Sequence, residues 1–461
     1  MNGWRARFSP AAVLPRATPR MLAWVRIVIS AILLLSALWE DLPSTALLPP
    51  ALREPLGVLA VLEAATGGAF AWLCRTPAAL AVLQSVTCLA LLAALVGWCA
   101  RFSAAAGAVL YLLLTGLLRE YSSFYHTGLV PLYALALLAG TPCGAAWSVD
   151  RWRAQRAGRA GPPADVPRLV DAWSVYAVWM VVAGSYVMAG LCKLRAGVEW
   201  FHPLNIQSIL LVDELTPMQF NFDFVGLLVV LPGWLFTLSA AAAVAGELAM
   251  GAVLFSPRAR SWLPPLMIAM HIGIWLFQRV LFFDLILIQA IFLAPAAWFG
   301  RSSAAAETPF AAAAWPRPIG ALFLAHIVVW TARVEWYPIS HMPMYSSVNT
   351  TGVIRYPKIF AHLASGQVVE GRPEKVIRAM DDARYRRLLR LAKKDAKNPV
   401  VVEFFATCGR LHNERATTPA ERVVTFEVVW RSWDFARQPA DPERGTVSKR
   451  ARFAGAPPGA S

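Results

Sequence analysis

The chain has 461 residues, of which 57% are hydrophobic and only 15% charged, with a formal net charge of +15. The apolar residues fall in runs long enough to cross a bilayer, which excludes a water-soluble globule as the main architecture. Nucleic acid is excluded as the natural partner of the positive charge, because Lys and Arg flank the apolar runs or gather near the C-terminus, a pattern that fits an anionic membrane surface.

In chain order, residues 1–21 form a basic leader with Arg5, Arg7, Arg16 and Arg20. No small-residue cleavage signal follows, so the first apolar run reads as a retained span. Spans are predicted at 22–42, 78–100, 104–118, 129–142, 172–194, 235–255, 263–278, 282–299 and 319–336, nine in all. The weaker run at 56–72 contains Glu63 and several glycines and is expected to lie flat or re-enter. The run at 224–231 is broken off by Pro232 and Gly233 and reads as a half-helix. The fold class expected is an all-α polytopic membrane bundle over 22–337 with a small soluble α+β domain over 338–453 and a disordered tail over 454–461.

Lys and Arg near span ends stay on the cytoplasmic side. The leader and the linker with Arg151, Arg153, Arg156, Arg159 and Arg168 are therefore both placed inside, with four spans between them. Arg258, Arg260 and Arg301 fall inside too. This makes a multi-pass protein of the cell membrane with a cytoplasmic N-terminus and an extracytoplasmic C-terminal domain. In that domain a basic helix is predicted at 374–397, with Ile377, Met380, Tyr385, Leu388 and Leu391 as its apolar members, and β-rich runs at 399–407 and 422–433. The charged face of the helix is either simply solvated or a surface for lipid headgroups.

Ionisable groups inside spans cost roughly 2.5–3.5 kcal/mol on insertion scales, so each asks for a reason. Arg119, Glu120, Tyr121, Tyr125 and His126 share the outer turn between the third and fourth spans, and Lys193 ends the fifth span on that side. Glu247 lies inside the sixth span and His271 inside the seventh, with Trp275 and Gln278 one and two turns on. A cleft opening outward and lined by Lys193, His126, His271 and Glu247 is one reading. The bland alternative is a snorkelling lysine and histidines that bond neighbouring helices. Arg119 with Glu120, and Arg333 with Glu335, read as interfacial charge pairs. The six cysteines contain no CxxC pair, and no His-x-x-His or Glu-x-x-His pair lies on one helix, so neither a disulfide framework nor a metal site is predicted.

Three segments carry a resemblance. Tyr125-His126 followed by a span and Trp147-Ser148-Val149-Asp150, then Ala189-Gly190-Leu191-Cys192-Lys193-Leu194 followed by Trp200, then the His271 span with Leu276-Phe277, resemble in order and spacing the vitamin K-dependent gamma-carboxylase family and the related bacterial horizontally transferred transmembrane (HTTM) domain proteins. The resemblance covers about residues 20–300. It implies a lyase in which Lys193 is the base that deprotonates reduced vitamin K, or another reduced quinone, with His126 assisting and His271, Trp275, Glu247 and Trp200 at the cofactor pocket. Oxygenation of the quinol then yields a base strong enough to remove a glutamate γ-proton, and carbon dioxide adds to the carbanion. A lysine at the apolar end of a span suits that role, since desolvation makes a neutral amine accessible.

Cys192 stands where the animal enzymes have a second lysine, the spacing to Trp200 is longer, and the outer domain is much smaller. The stretch from Trp336 to Ser346, with Pro338, His341, Pro343, Met344 and Tyr345, resembles the bacterial members more. The implied partners are the lipid bilayer, a lipid-soluble quinone or lipid, and a peptide or protein substrate. The competing class is a non-enzymatic membrane accessory protein for peptide maturation, export or immunity. A channel or ion-coupled transporter is weaker, because the spans show neither an evident internal repeat nor a ladder of acids.

Overall fold

Proline and glycine punctuate the helices according to their backbone chemistry. A computed structural model describes residues 9–121, 126, 128–215, 223–293, 316–379 and 382–455. Arg5, Arg7, Tyr125, Arg301, Met380, the end of the eighth predicted span and the last six residues lie outside the described set. Helix α1 (Pro19–Trp39) begins at proline, where a missing N–H costs nothing, and Thr18 caps it by accepting from the Met21 N–H at 3.3 Å. Helices α2 (Val58–Thr66) and α3 (Ala69–Arg75) meet at a 112° bend over Gly67 and Gly68, both at positive φ, which gives the predicted re-entrant run its break.

Helix α4 (Pro77–Val96) also starts at proline and stops at Gly97, which is left-handed at φ +70. A Cβ there would lie 2.4 Å from the Ser148 Cβ and 2.7 Å from Arg26 Nη1, so glycine is needed for approach as well as for φ. Helix α5 (Ala100–Arg119) is capped from afar, as Asp150 accepts from the backbone N–H groups of Cys99 at 2.8 Å and Ala100 at 2.7 Å. Arg26 is fully buried inside α1 and donates to the carbonyls of Cys143 and Trp147 at 2.7 and 2.6 Å. Those two contacts give the Trp147–Asp150 segment its place.

The main further helices of the bundle are α6 (Leu129–Ala139), α7 (Leu169–Arg195), α8 (Pro203–Leu215), α9 (Gly233–Ala249), α10 (Pro257–Gln278), α11 (Phe283–Leu287) and α12 (Arg317–Thr331), with shorter helices at Pro10–Val13, Val149–Arg156 and Ala290–Leu293. The predicted half-helix is the short helix Val225–Val230. Helix α7 runs through the middle, against α1, α6, α9 and α12, while α8 and α10 pack beside α9. Among the described residues, five segments are long and apolar enough to cross a membrane: Pro19–Leu47, Pro77–Val96, Ala100–Arg119, Leu169–Arg195 and Gly233–Leu254. The bent α2–α3 pair makes a sixth if it counts as one. The 11-residue α6 is only about 16 Å long against a hydrocarbon core of about 30 Å, so length separates it from the five.

After a small hairpin of β1 (Glu335–Trp336) and β2 (Ile339–Ser340), the C-terminal region forms an antiparallel sheet from β3 (Val353–Leu363), β4 (Val368–Glu370), β5 (Val423–Asp434) and β6 (Thr446–Ala454), in the order β4-β3-β5-β6. Helices α13 (Asp382–Lys394) and α14 (Pro399–Arg415) cover it. The predicted basic helix is thus shorter than 374–397, preceded by a 3-10 turn at Pro373–Lys375. The predicted β-run at 399–407 is corrected to helix. Its β-branched valines resemble a strand, but Pro399 sits at the first helical position, Asn398 caps the Val400 N–H at 3.0 Å, and Val401, Phe404, Phe405 and Cys408 fall on one buried face. The run at 422–433 is strand β5.

Two apolar clusters seat this domain on the bundle. Leu48, Leu52 and Tyr121 join the core made by the sheet, α13 and α14, while Ile354, Tyr356, Trp433 and Phe435 pack with Leu211 and Leu215 of α8. A charged node lies beside the first cluster. Arg53 Nε donates to Glu120 Oε2 at 2.6 Å and its Nη2 to Glu63 Oε2 at 2.5 Å, while Arg387 pairs with Glu54 and donates to the Glu120 carbonyl. Fully buried Glu120 is therefore held by Arg53, which corrects the expected Arg119–Glu120 pair. Neighbours along a helix point about 100° apart and do not face each other. Arg53→Met is expected to strand the Glu120 carboxylate and lower the unfolding free energy in detergent by about 3–5 kcal/mol, with Arg53→Met/Glu120→Leu recovering most of it. An unchanged unfolding midpoint in the single variant would contradict this assignment.

Candidate functional site

Helical spacing brings polar groups from distant segments onto one cavity. Tyr186, Ala189 and Lys193 stand at i, i+3 and i+7 on α7, and Ala240, Ala243 and Glu247 repeat that spacing on α9. Helix α10 adds Met267, His271 and Ile274. Alanines on the facing surfaces leave room between the helices, and the result is a cavity of about 460 Å³. Its wall is largely apolar.

At one end of the cavity Lys193 Nζ donates to both carboxylate oxygens of Glu247, at 2.7 and 2.9 Å, with the two side chains almost wholly buried. The ammonium also lies 5.8 Å from the centre of the Trp200 ring. Trp200 is itself fixed by donating its Nε1–H to the Tyr345 carbonyl at 2.8 Å. Lys193 thus does not snorkel to the interface, and its partner comes from 54 residues further along the chain.

A second polar group consists of Tyr186, His271 and Gln289. The Tyr186 hydroxyl lies 2.8 Å from His271 Nε2 and accepts from Gln289 Nε2 at 2.9 Å. Asp284, buried at the start of α11, lines the same cavity and accepts from the Gly128 N–H at 2.8 Å through Oδ2. Its Oδ1 has no partner among the described residues, and neither has His271 Nδ1.

His126, in the turn before α6, reaches the cavity too, with its Nδ1 3.0 Å from Ser340 Oγ. Ser340 Oγ gives its own proton to Glu335 Oε1 at 2.7 Å, so the imidazole donates through Nδ1–H to the serine oxygen. Burial, with Arg119 and His341 adding positive charge nearby, pushes the His126 imidazole down to about 3. It is neutral at physiological pH.

Lys193, His126, His271, Glu247 and Trp200 therefore all line one cavity. Trp275 does not: it sits a turn beyond His271 but is absent from the lining, where Gln278 takes part instead. The expected Arg333–Glu335 pair is corrected, because Glu335 Oε1 pairs with His341 Nδ1 at 2.8 Å. Tyr186 and Asp284 line the cavity without having been singled out by the sequence, and Gln289 stands behind the wall as a donor to the Tyr186 hydroxyl. Among the described residues no group of three or more His, Cys, Asp and Glu side chains is placed to hold a metal ion. No family model matches the chain, and neither a curated protein nor a solved structure matches it.

The unfolded imidazole takes a proton near its ordinary value of 6.5, and the folded one only near 3. The contribution of a neutral His126 to stability is hence complete above pH 6.5 and falls by about 1.4 kcal/mol per pH unit as the pH drops toward 3. His126→Gln is expected to flatten the acid-side loss of thermal stability between about pH 7 and pH 5. Equal slopes for the two proteins would contradict the buried neutral imidazole.

Proposed function

We propose that the chain is an integral membrane protein of the carboxylase-like kind that takes a lipid-soluble, ring-bearing ligand, a reduced quinone above all, into the cavity between α7, α9 and α10. In this reading α6, α10, the region of α11 and α12 are counted as spans beside the five longer segments, which makes nine, and basic residues then favour an inside N-terminus. The single observation that carries the functional reading is the Lys193–Glu247 pair at the wall of an apolar cavity. A scaffold that needs only packing has little use for two charges beside empty apolar volume.

The residues fit such a ligand. Ala243, Met270, Ile274 and Phe277 offer an apolar slot for a ring and tail, and polar atoms wait at its sides. A bound reduced quinone would supply an acidic ring hydroxyl and a two-electron couple. Lys193 as an ion-paired ammonium has no lone pair to accept a proton, so in this arrangement the accepting atom is a Glu247 oxygen, with Oε2 at 2.9 Å the more weakly held. Lys193 Nζ keeps its charge and steadies the ligand oxygen left behind. Neutral His126 and the Tyr186–His271 pair orient the ligand through hydrogen bonds. Glutamate carboxylation is one outcome of this chemistry and other quinone or lipid chemistry is another.

A second reading is supported by the closure of the same pair. Both Glu247 oxygens are occupied by Lys193, which makes the pair a clamp between α7 and α9 in a non-enzymatic accessory protein for peptide maturation, export or immunity. Mass spectrometry of the protein purified in mild detergent separates the two. A co-purifying quinone, together with a fall of about 10²-fold or more in turnover of reduced quinone by Lys193→Ala, is the outcome expected of the enzyme. No bound quinone, and a Lys193→Ala variant that keeps its cellular function while losing stability, would leave the clamp.

A further inference from the structure

The end of α7 carries two cations that face opposite sides of a thin wall. Lys193 looks into the apolar cavity, whereas Cys192 and Arg195, three residues apart on another face, line a separate, shallow and water-open pocket of about 250 Å³. The wall is the strap His341–Ser346. Met342, Met344 and Tyr345 point from it to the cavity, and His341, Pro343 and Ser346 point to the pocket.

We propose that this second pocket binds a water-soluble oxyanion, a carboxylate or phosphate group, between Arg195 and Arg333. Arg195 lies 4.1 Å from the centre of the Trp330 ring and, among the described residues, has only a long hydrogen-bond contact, 3.5 Å, to the Trp330 carbonyl. Arg333 lines the pocket from the turn after α12, where it holds a left-handed backbone at φ +51 that non-glycine residues rarely adopt. Neither guanidinium has a carboxylate partner among the described residues. The nearby acid, Glu335, is already engaged: its Oε1 accepts from Ser340 Oγ and from the His341 N–H and pairs with His341 Nδ1.

Two arginines without acidic partners line one pocket, and paired guanidinium groups are suited to a small oxyanion; Ser346 lines it too, with its hydroxyl donating to the Pro343 carbonyl at 3.1 Å. The stacking of Arg195 on Trp330 explains its tie to α12, but nothing comparable explains why Arg333 is turned into the same pocket. The volume is ample for a small molecule that carries a carboxylate or phosphate group. The strap then separates a site filled from the lipid from a site filled from water. As a second-substrate site the pocket rests on the function proposed above, but oxyanion binding itself does not.

Cysteine chemistry tests it without any quinone. Cys192 lines the pocket, and Ser346→Cys in a Cys192→Ala background supplies a more open reporter. Purified protein in phosphatidylcholine nanodiscs is treated with a sulfonate-bearing or a trimethylammonium-bearing methanethiosulfonate, and modification at these positions is followed by mass spectrometry. With each rate divided by that reagent's rate on a small free thiol, the anionic reagent is expected to react roughly tenfold faster or more, as a focused positive potential dictates. Arg195→Gln/Arg333→Gln should bring the ratio close to one while the melting midpoint holds.

Inorganic phosphate and acetate should each slow the reaction at constant ionic strength. Slowing by phosphatidylglycerol in the nanodisc, with no effect of the soluble anions, would assign the pocket to a lipid headgroup and overturn the water-soluble ligand. Equal normalised rates for the two reagents at both reporters, or no protection by any oxyanion, would overturn the site altogether. Either failure leaves the quinone reading of the larger cavity untouched, because that reading is decided by bound quinone and Lys193 chemistry.

Discussion

An ammonium and a carboxylate taken out of water cost several kcal/mol each, and only close mutual pairing makes the burial tolerable. The Lys193–Glu247 pair obeys that constraint, and much of the surrounding geometry follows from it. It ties α7 to α9. It places a charged pair on a cavity whose wall is otherwise largely apolar, and it brings Trp200 alongside, whose hydrogen bond to the Tyr345 carbonyl holds the strap beside the cavity. The same rule operates at Arg53 with Glu120 and at Arg279 with Glu214, each buried carboxylate being met by a cation from a different segment.

The strap links the bundle to the C-terminal sheet. Tyr337 and Met342 belong to the core of the bundle, and from Val353 onward the chain is sheet. The sheet rests on α8, whose Ile206 and Leu210 also line the cavity. Motion of the C-terminal domain would thus be felt at the cavity through α8 and the strap together.

How far the sequence was legible depends on the length scale of the interaction. Long apolar runs such as those of α1, α4 and α7 are local and were read to within a few residues. Charge partners were not, because nearness in sequence does not make two side chains face each other. Glu120 finds Arg53, 67 residues earlier, instead of Arg119, and Glu335 finds His341 instead of Arg333. At 399–407 a run of valines outweighed the Asn398–Pro399 start signal, although the spacing of Val401, Phe404, Phe405 and Cys408 was already helical. Asp284 was legible in principle: an acid within the run Phe282–Gln289 violates the same expectation that singled out Glu247. Tyr186 lies two turns before Lys193 on the same face and could have been read from that spacing. Gln289 could not, since only tertiary packing brings it to Tyr186.

The central claim is that Lys193 and Glu247 form one buried ionic unit at the cavity, and a double-mutant cycle on unfolding in detergent measures it most directly. Lys193→Met and Glu247→Leu are each expected to lower stability by about 3–5 kcal/mol by leaving a lone buried charge, and the double variant to recover most of that loss. Additive losses, with the double variant as unstable as the two singles combined, would contradict the pairing and with it the description of the site.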